Sequence, residues 1–234
     1  MPTDDNIERY RDRTQAGHML AQKLRSYAGR QDVIVLGLPR GGVPVAVQVA
    51  SELQLALDIL VVRKLGFPGY HEFAMGAIAS GGVCVLQDDV VASHAIARTL
   101  IDAEIARESR ELARREQAYR GAGQASLPSL LAQRTAILID DGMATGATMK
   151  AAVQAARLAH AARVIVAVPV ASRDACAEIG ALADQCICLS TPASFQAVGG
   201  WYDRFEQVSD DEVLGLLAQA ASHAGTNAVT ARKN

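Results

Sequence analysis

Residues 136–149 decide the fold, and they read Ala136-Ile137-Leu138-Ile139-Asp140-Asp141-Gly142-Met143-Ala144-Thr145-Gly146-Ala147-Thr148-Met149. Four apolar residues run into two adjacent carboxylates, and a glycine and a cluster of small and hydroxyl-bearing residues follow. The cluster ends where a helical pattern of apolar residues begins. This order predicts a strand, a tight loop and a helix.

The composition of this loop predicts a phosphate site. A loop of Gly, Ala and Thr lets backbone N–H groups converge on an anion at the positive end of the following helix. Thr145 and Thr148 offer hydroxyl donors to the same phosphate. Asp140 and Asp141 come at the carboxyl end of the strand, where open α/β sheets bind ligands, and they suit sugar hydroxyls or a hydrated Mg²⁺. A sugar phosphate fits both halves of the stretch.

The same residues resemble a known loop. An apolar strand followed by Asp140-Asp141-Gly142-Met143-Ala144-Thr145-Gly146-Ala147-Thr148 resembles the phosphoribosyl-pyrophosphate (PRPP) loop of type I phosphoribosyltransferases. The alternative is a helix N-terminus with ordinary capping residues, but capping does not require twin aspartates at a strand end before a loop of small residues. A Gly-x-x-x-x-Gly-Lys-Ser/Thr phosphate loop does not occur. The resemblance spans about residues 33–189 and implies that the stretch from Asp140 to Thr148 binds PRPP.

A second loop carries a cation. Residues 33–36 are a short apolar run typical of a buried parallel strand, and Gly37-Leu38-Pro39-Arg40-Gly41-Gly42 leads from it into an apolar helix. The glycines and the proline let the backbone turn sharply toward a ligand. The alternative is a plain strand-to-helix turn with an exposed arginine. The family resemblance implies that Arg40, Gly41 and Gly42 bind pyrophosphate.

A cationic pair follows the next predicted strand. Residues 57–62 form an apolar run with Arg63-Lys64 at its carboxyl end, where the pair can neutralise an anionic ligand. The resemblance implies a flexible catalytic loop after this strand and makes Arg63 and Lys64 the catalytic residues that stabilise departing pyrophosphate. His71 and Glu72 fit a role in loop closure and solvated loop side chains equally well.

The remaining pattern alternates strands with helices. A first helix is predicted over 6–28, a hairpin turn at Gly81-Gly82, a long helix over 88–120, a linker over 121–128, and strands over 164–170 and 185–189. A capping box at 209–212 opens a last helix, whose tail frays from 222. The alternation predicts an α/β fold with an open, mostly parallel sheet flanked by helices, the type I phosphoribosyltransferase fold, with a helical insertion and a hood.

Two later segments offer candidates for the cleft. Residues 192–205 gather large aromatics, which stack on a planar base or form a small satellite core. This segment resembles the hood of purine enzymes, which makes Phe195, Trp201 and Tyr202 base-binding candidates. In the insertion, Arg115, Tyr119 and Arg120 either lie on a solvated helix face or point into the cleft.

Composition fits one well-packed domain. The 234 residues are predicted to form a single domain with a core at about 33–189, a helical insertion at about 88–120, and a hood and helix at about 190–222. The net charge of −2 gives no electrostatic case for nucleic acid or an anionic membrane. The acidic N-terminus and the lack of an apolar run near 20 residues predict a cytoplasmic protein without a membrane span.

The cysteines have no metal-site spacing. They fall in apolar contexts without Cys-x-x-Cys, which predicts small buried side chains and no metal site or disulfide framework. They are Cys84, Cys176, Cys186 and Cys188.

The resemblance implies an activity. This activity is the transfer of the 5-phosphoribosyl group from PRPP to a nitrogenous base in nucleotide salvage, with release of pyrophosphate. The resemblance also implies Mg²⁺ as cofactor, PRPP and a small-molecule base as partners, and assembly as a homodimer. Ala144 stands where the 6-oxopurine branch has an acid suited to the base N7 proton, so hypoxanthine or guanine activity is not expected. The insertion resembles a group of uncharacterised bacterial phosphoribosyltransferases. The alternative is a protein that binds PRPP or a nucleotide as a sensor and has lost turnover.

Overall fold

A computed structural model of the chain describes residues 9–67, 70–94, 96–120 and 126–230. In these ranges the strands are β1 (Val33–Gly37), β2 (Ala56–Ile59), β3 (Val62–Phe67), β4 (Tyr70–Ala79), β5 (Val83–Leu86), β6 (Thr135–Ile139), β7 (Arg163–Val170) and β8 (Gln185–Ser190). The helices are α1 (Arg13–Lys23), α2 (Gly42–Leu53), α3 (Asp88–Ser93), α4 (Arg98–Arg120), α5 (Leu127–Leu131), α6 (Ala147–Leu158), α7 (Arg173–Leu182) and α8 (Asp210–Thr230).

The core is a five-stranded parallel sheet in the order β2-β1-β6-β7-β8. Alternate residues of each strand point to opposite faces. Val33, Val35 and Ile137 pack with α1 and α2, whereas Ile34 and Leu138 pack with α6 and α7. Because both faces are covered, the strands are apolar throughout. The predicted α/β class with an open parallel sheet flanked by helices is confirmed.

The predicted strand over 57–62 is wrong in its bounds, because two strands share that apolar run. Strand β2 ends at Ile59, and β3 begins at Val62 in a separate antiparallel sheet of order β3-β4-β5. The N–H of Leu60 still donates to the carbonyl of Gly37, the last residue of β1. The N–H of Val61 instead donates to Oγ of Ser80, which follows β4 directly. A continuous apolar pattern does not reveal such a change of partner. The Gly81-Gly82 hairpin turn is confirmed, with φ values of 85° and 80° that favour glycine.

Other boundaries differ from the predictions. Helix α1 begins at Arg13 because the Asp12 side chain accepts the N–H of Gln15 and caps it there. The predicted helix over 88–120 is two helices, α3 and α4, and a short helix capped by Ser126 starts inside the predicted linker. Helix α8 continues to Thr230 instead of fraying from 222, in a run rich in alanine, the best helix former. None of the helices in the described ranges is long and apolar enough to cross a membrane.

The expected burial of the cysteines is also wrong. Cys84 is exposed, and Cys176, Cys186 and Cys188 are half-buried. Strands β5 and β8 are edge strands of their sheets, so their side chains are covered less completely than those of central strands. Apolar neighbours along the chain do not distinguish an edge strand from a central one.

An ion pair fastens α4 to the core sheet, so we predict that Arg120→Met lowers the free energy of unfolding by about 1–3 kcal/mol. The Arg120 guanidinium donates to both carboxylate oxygens of Asp58, at 3.1 and 2.8 Å, and the two side chains are 11% and 18% exposed. The substitution leaves the Asp58 carboxylate without this cation. Denaturant unfolding measures the change.

The control is Arg98→Met, which removes an exposed pair with Asp102 in the same helix. It is expected to change stability by no more than about 0.5 kcal/mol. Equal effects of the two substitutions would contradict a role of the Arg120 pair in holding α4.

Candidate functional site

The two predicted ligand loops lie side by side. Strands β1 and β6 are paired, with Gly37 opposite Ile139, so the loops that follow them leave the same edge of the sheet. The chain adds β2 on one side of β1 and β6 on the other. This pair is therefore the topological switch point, where open α/β sheets bind ligands outside the carboxyl ends of the strands.

Glycines let the two loops touch. A Cβ on Gly42 would lie 2.6 Å from the carbonyl oxygen of Ile139, and one on Gly41 would lie 2.0 Å from Asp141 Oδ2. Both distances are shorter than contacts between non-bonded atoms allow. At Gly42 the obstacle is backbone, so only glycine fits, whereas a Cβ at Gly41 would have to displace the Asp141 carboxylate. The N–H of Leu38 donates to Ile139 at 2.9 Å and joins the loops further. The peptide bond between Pro39 and Arg40 is cis.

The predicted phosphate loop occupies the seven positions between β6 and α6, residues 140–146. Its middle is held to the end of β7, since the N–H of Met143 donates to Val170 and Ser172 Oγ donates to the carbonyl of Ala144. Over the described ranges, the N–H groups of Ala144, Thr145 and Gly146 donate no hydrogen bond. Ala144 and Thr145 are exposed. The loop therefore presents unsatisfied amides at the start of a helix, the arrangement that binds an anion.

The twin acids differ in environment. Asp140 accepts the N–H of Asp141 at 2.9 Å, and burial, followed by the charge of Asp141, raises the pKa of its carboxyl well above the ordinary value. Burial also raises the pKa of Asp141, although Arg13 opposes the shift. Arg13 donates to Asp141 Oδ2 from Nε at 2.9 Å, with a second nitrogen at 2.8 Å. Arg13 thus compensates the charge of Asp141 directly, whereas Asp140 has no cation bonded to it among the described residues.

Arg13 is a functional candidate that the sequence did not indicate. Its guanidinium lies 3.9 Å from the ring centre of Phe205 and donates to the carbonyl of Glu206 at 2.9 Å. The residue begins α1, more than a hundred positions before Asp141. No local pattern signals a contact over that separation.

A cavity of about 460 Å³ opens beside the acids. Its lining residues are Arg13, Arg40, Gly41, Asp141, Val198, Phe205, Gln207 and Val208. Arg40 is partly exposed and lies 3.6 Å from Asp210 at the start of α8. The structure thus brings the predicted pyrophosphate loop, one of the predicted acids and part of the hood to one cavity.

The predicted catalytic pair lies elsewhere. Arg63 and Lys64 belong to β3 in the second sheet and do not line this cavity. Arg63 Nε donates to Glu108 Oε2 at 2.7 Å, and Glu108 is 2% exposed. Lys64 is exposed. The side chains of His71 and Glu72 fall outside the part of the structure that is described.

The predicted base-binding aromatics lie in the hood, outside the cavity lining. Tyr202 is 3% exposed, packs against Tyr10, and donates its hydroxyl to the carbonyl of Asp141 at 2.6 Å. This environment is the satellite core that was the alternative. Phe195 and Trp201 pack partly against the same cluster. The aromatic ring that does line the cavity is Phe205, from the same aromatic-rich segment.

The insertion residues make structural contacts. Arg115 pairs with Glu111 within α4. Tyr119 donates to Asp210 at 2.5 Å, and burial, together with that carboxylate, raises the pKa of its phenol to about 12. Because Asp210 also neighbours Arg40, Tyr119 connects the insertion to the rim of the cavity.

The chain belongs to the phosphoribosyl transferase domain family, whose sequence profile matches residues 4–203. Two curated relatives, described as putative phosphoribosyl transferases from two strains of Mycobacterium tuberculosis, are 49% identical over 209 residues, which is 89% of this chain and 46% of each relative. The chain thus spans about half the length of these relatives. The crystal structure of TT1426 from Thermus thermophilus is 40% identical, covers 90% of this chain and 98% of its own, and superposes with a TM-score of 0.76.

Because the two loops touch at Gly42, adding a single methyl group there is expected to destabilise the fold. Gly42→Ala is expected to lower the free energy of unfolding by about 1–3 kcal/mol, because its Cβ overlaps the backbone of Ile139 and Asp140. Gly200→Ala is the control, since a Cβ there meets no atom within 4 Å. Denaturant unfolding of both variants measures the difference, and a Gly42→Ala protein as stable as the control would contradict the close packing.

Replacing each of the twin acids by its amide is expected to change the stability of the fold in opposite directions. Because the pKa of Asp140 is raised in the fold, its contribution to stability is greatest below the unfolded pKa and is lost as pH rises through the folded pKa. Asp140→Asn removes that loss, so the variant is expected to unfold at a higher temperature than the parent at pH 8 and to lose this advantage at pH 4. Asp141→Asn leaves the Arg13 guanidinium without its carboxylate and is expected to cost about 1–3 kcal/mol.

Thermal unfolding at both pH values tests this contrast. A lower unfolding temperature for Asp140→Asn at pH 8 would show that the buried carboxylate stabilises the fold in its charged form. A neutral effect of Asp141→Asn would show that the Arg13 pair is not needed.

Proposed function

We propose that this protein transfers the 5-phosphoribosyl group of PRPP to a nitrogenous base or related acceptor and releases pyrophosphate. The proposal rests on one observation. The loops after β1 and β6 lie side by side and bring together unsatisfied amides, the twin acids and the glycine loop that carries Arg40. The relatives described as phosphoribosyl transferases support it over the shared segment.

The phosphate loop holds the 5-phosphate. The amides of Ala144, Thr145 and Gly146 donate to its oxygens, and the hydroxyls of Thr145 and Thr148 add further donors at the positive end of α6. Asp140 and Asp141 accept the ribose hydroxyls. Since Arg13 engages Asp141 through Oδ2, its Oδ1 is the oxygen left for the sugar.

The pyrophosphate lies against the loop of Arg40, Gly41 and Gly42. Arg40 offers a guanidinium that lies 3.6 Å from the carboxylate of Asp210, so a phosphate can compete for it. Arg63 and Lys64 act as the catalytic cations that stabilise the departing charge. Because Arg63 is bonded to the buried Glu108, this role requires that ion pair to open when PRPP binds.

The donor set fits Mg²⁺. The carboxylates of Asp140 and Asp141 are hard oxygen ligands, and Mg²⁺ is commonly held by one or two carboxylates together with substrate phosphates. Burial and the charge of Asp141 raise the pKa of the Asp140 carboxyl, and a cation bound beside it would oppose that shift. Bound there, Mg²⁺ would neutralise charge on the pyrophosphate.

The acceptor is proposed to be planar and largely apolar. Val198 and Phe205 supply apolar walls in the cavity, and Gln207 supplies an amide that both donates and accepts hydrogen bonds. Phe195, Trp201 and Tyr202 remain candidates that shape this side of the cleft, with Tyr202 acting through its bond to Asp141. At Ala144 there is no acid to serve the base N7 proton, so a 6-oxopurine is not the proposed acceptor.

A second function is favoured by one observation. In this conformation Arg63 is paired with Glu108, away from the cavity, and its cation is therefore not directed at the leaving group. A protein that binds PRPP as a signal, without turnover, would tolerate that placement.

Two measurements separate the proposals. Calorimetry with PRPP and Mg²⁺ is expected to show binding that Asp140→Asn combined with Asp141→Asn weakens by at least about tenfold, or 1.4 kcal/mol. The control is Asp102→Asn, an exposed acid of α4. Unchanged affinity in the double variant would contradict the assignment of the acids.

Pyrophosphate release is then measured against a panel of purine, pyrimidine and other nitrogenous bases. Release with at least one base supports the transferase, and Arg63→Met is expected to slow it while PRPP affinity changes little. Tight PRPP binding without release for any base would support the sensor.

A further inference from the structure

Three thiols converge between α7 and β8. The sulfur atoms of Cys176, Cys186 and Cys188 lie within 4.8 Å of one another. Cys186 and Cys188 are 3.7 Å apart, and Cys188 donates to Cys176 at 2.7 Å. The cluster is separate from the cavity beside the twin acids, since none of the three residues lines it.

The local structure explains the convergence. Cys186 and Cys188 are two positions apart on β8, so both side chains point to the same face of the sheet. That face is covered by α7, which carries Cys176 in its first turns. Gly180 of the same helix also faces this strand, since a Cβ there would be in ordinary contact with the Cβ of Cys186, at 3.9 Å. All three side chains remain half-buried, which leaves a path from solvent.

The geometry suits a thiolate-bound metal. Zn–S bonds of about 2.3 Å at tetrahedral angles place two sulfurs about 3.7 Å apart. Cys186 and Cys188 already have this separation. Cys176 and Cys188 need to move apart by about 1 Å, which a small side-chain rotation supplies.

The thiol protons of all three cysteines must leave when a cation binds, as is general for thiolate ligands.

We propose that Cys176, Cys186 and Cys188 bind one Zn²⁺ ion through three thiolates, with the fourth position taken by water. Sequence spacing did not indicate the site because its ligands come from a helix and from alternate residues of a strand, without a Cys-x-x-Cys element. Such an ion fastens α7 to the edge strand. Ala175 and Ile179 of that helix lie beside Gly146 of the phosphate loop, 3.5 and 3.4 Å from where its Cβ would be.

The test uses the reduced 234-residue chain, freed of metal and kept without oxygen. Titration with Co²⁺ as a spectroscopic substitute is expected to saturate at one equivalent with thiolate-to-metal charge-transfer absorption in the near ultraviolet. Zn²⁺ is expected to displace Co²⁺ and to raise the unfolding temperature. Cys176→Ser and Cys188→Ser are each expected to weaken Zn²⁺ binding by at least about 100-fold.

Cys84→Ser is the matched control, because Cys84 is an exposed thiol on β5. It is expected to bind Co²⁺ and Zn²⁺ as the parent does. Circular dichroism of each metal-free variant checks that the fold is retained. The proposal fails if the charge-transfer absorption is absent, if it survives in Cys188→Ser, or if it is lost in Cys84→Ser.

Discussion

The backbone contact between the loops after β1 and β6 is the constraint on which the site depends. Gly42 passes so close to the backbone of Ile139 and Asp140 that no side chain fits between them, and Gly41 lies against the Asp141 carboxylate. This contact exists because β1 and β6 are neighbours at the point where the chain reverses its direction of growth across the sheet. It sets a cationic loop beside twin acids and open amides, and the cavity follows from it.

Segments distant in the sequence hold Asp141 in place, whereas the neighbouring carboxyl of Asp140 is buried with little compensation. Arg13 from α1 binds the Asp141 carboxylate, and Tyr202 from the hood binds its carbonyl. Asp140 receives a single hydrogen bond from the described residues and has a raised pKa. A buried carboxylate with so little compensation weakens the fold. Under the proposed function, a cation or sugar hydroxyl bound there would offset that cost.

Local patterns predicted much of the fold. The apolar runs of β1, β6 and β7, the twin acids at a strand end and the Gly81-Gly82 turn all depend on neighbours in the chain. What remained hidden was long-range: the change of sheet after Ile59, the pairing of Arg63 with Glu108, and the contact of Arg13 with Asp141. These depend on which segments meet, and that is decided by packing of the whole chain.

If the amides just after the twin acids bind the phosphate of an activated ribose, a crystal structure of the protein with PRPP and Mg²⁺ will show it. We expect 5-phosphate oxygens within hydrogen-bond distance of the N–H groups of Ala144, Thr145 and Gly146, with pyrophosphate against Arg40. PRPP bound away from this loop, or those amides bonded to protein atoms in the complex, would contradict it.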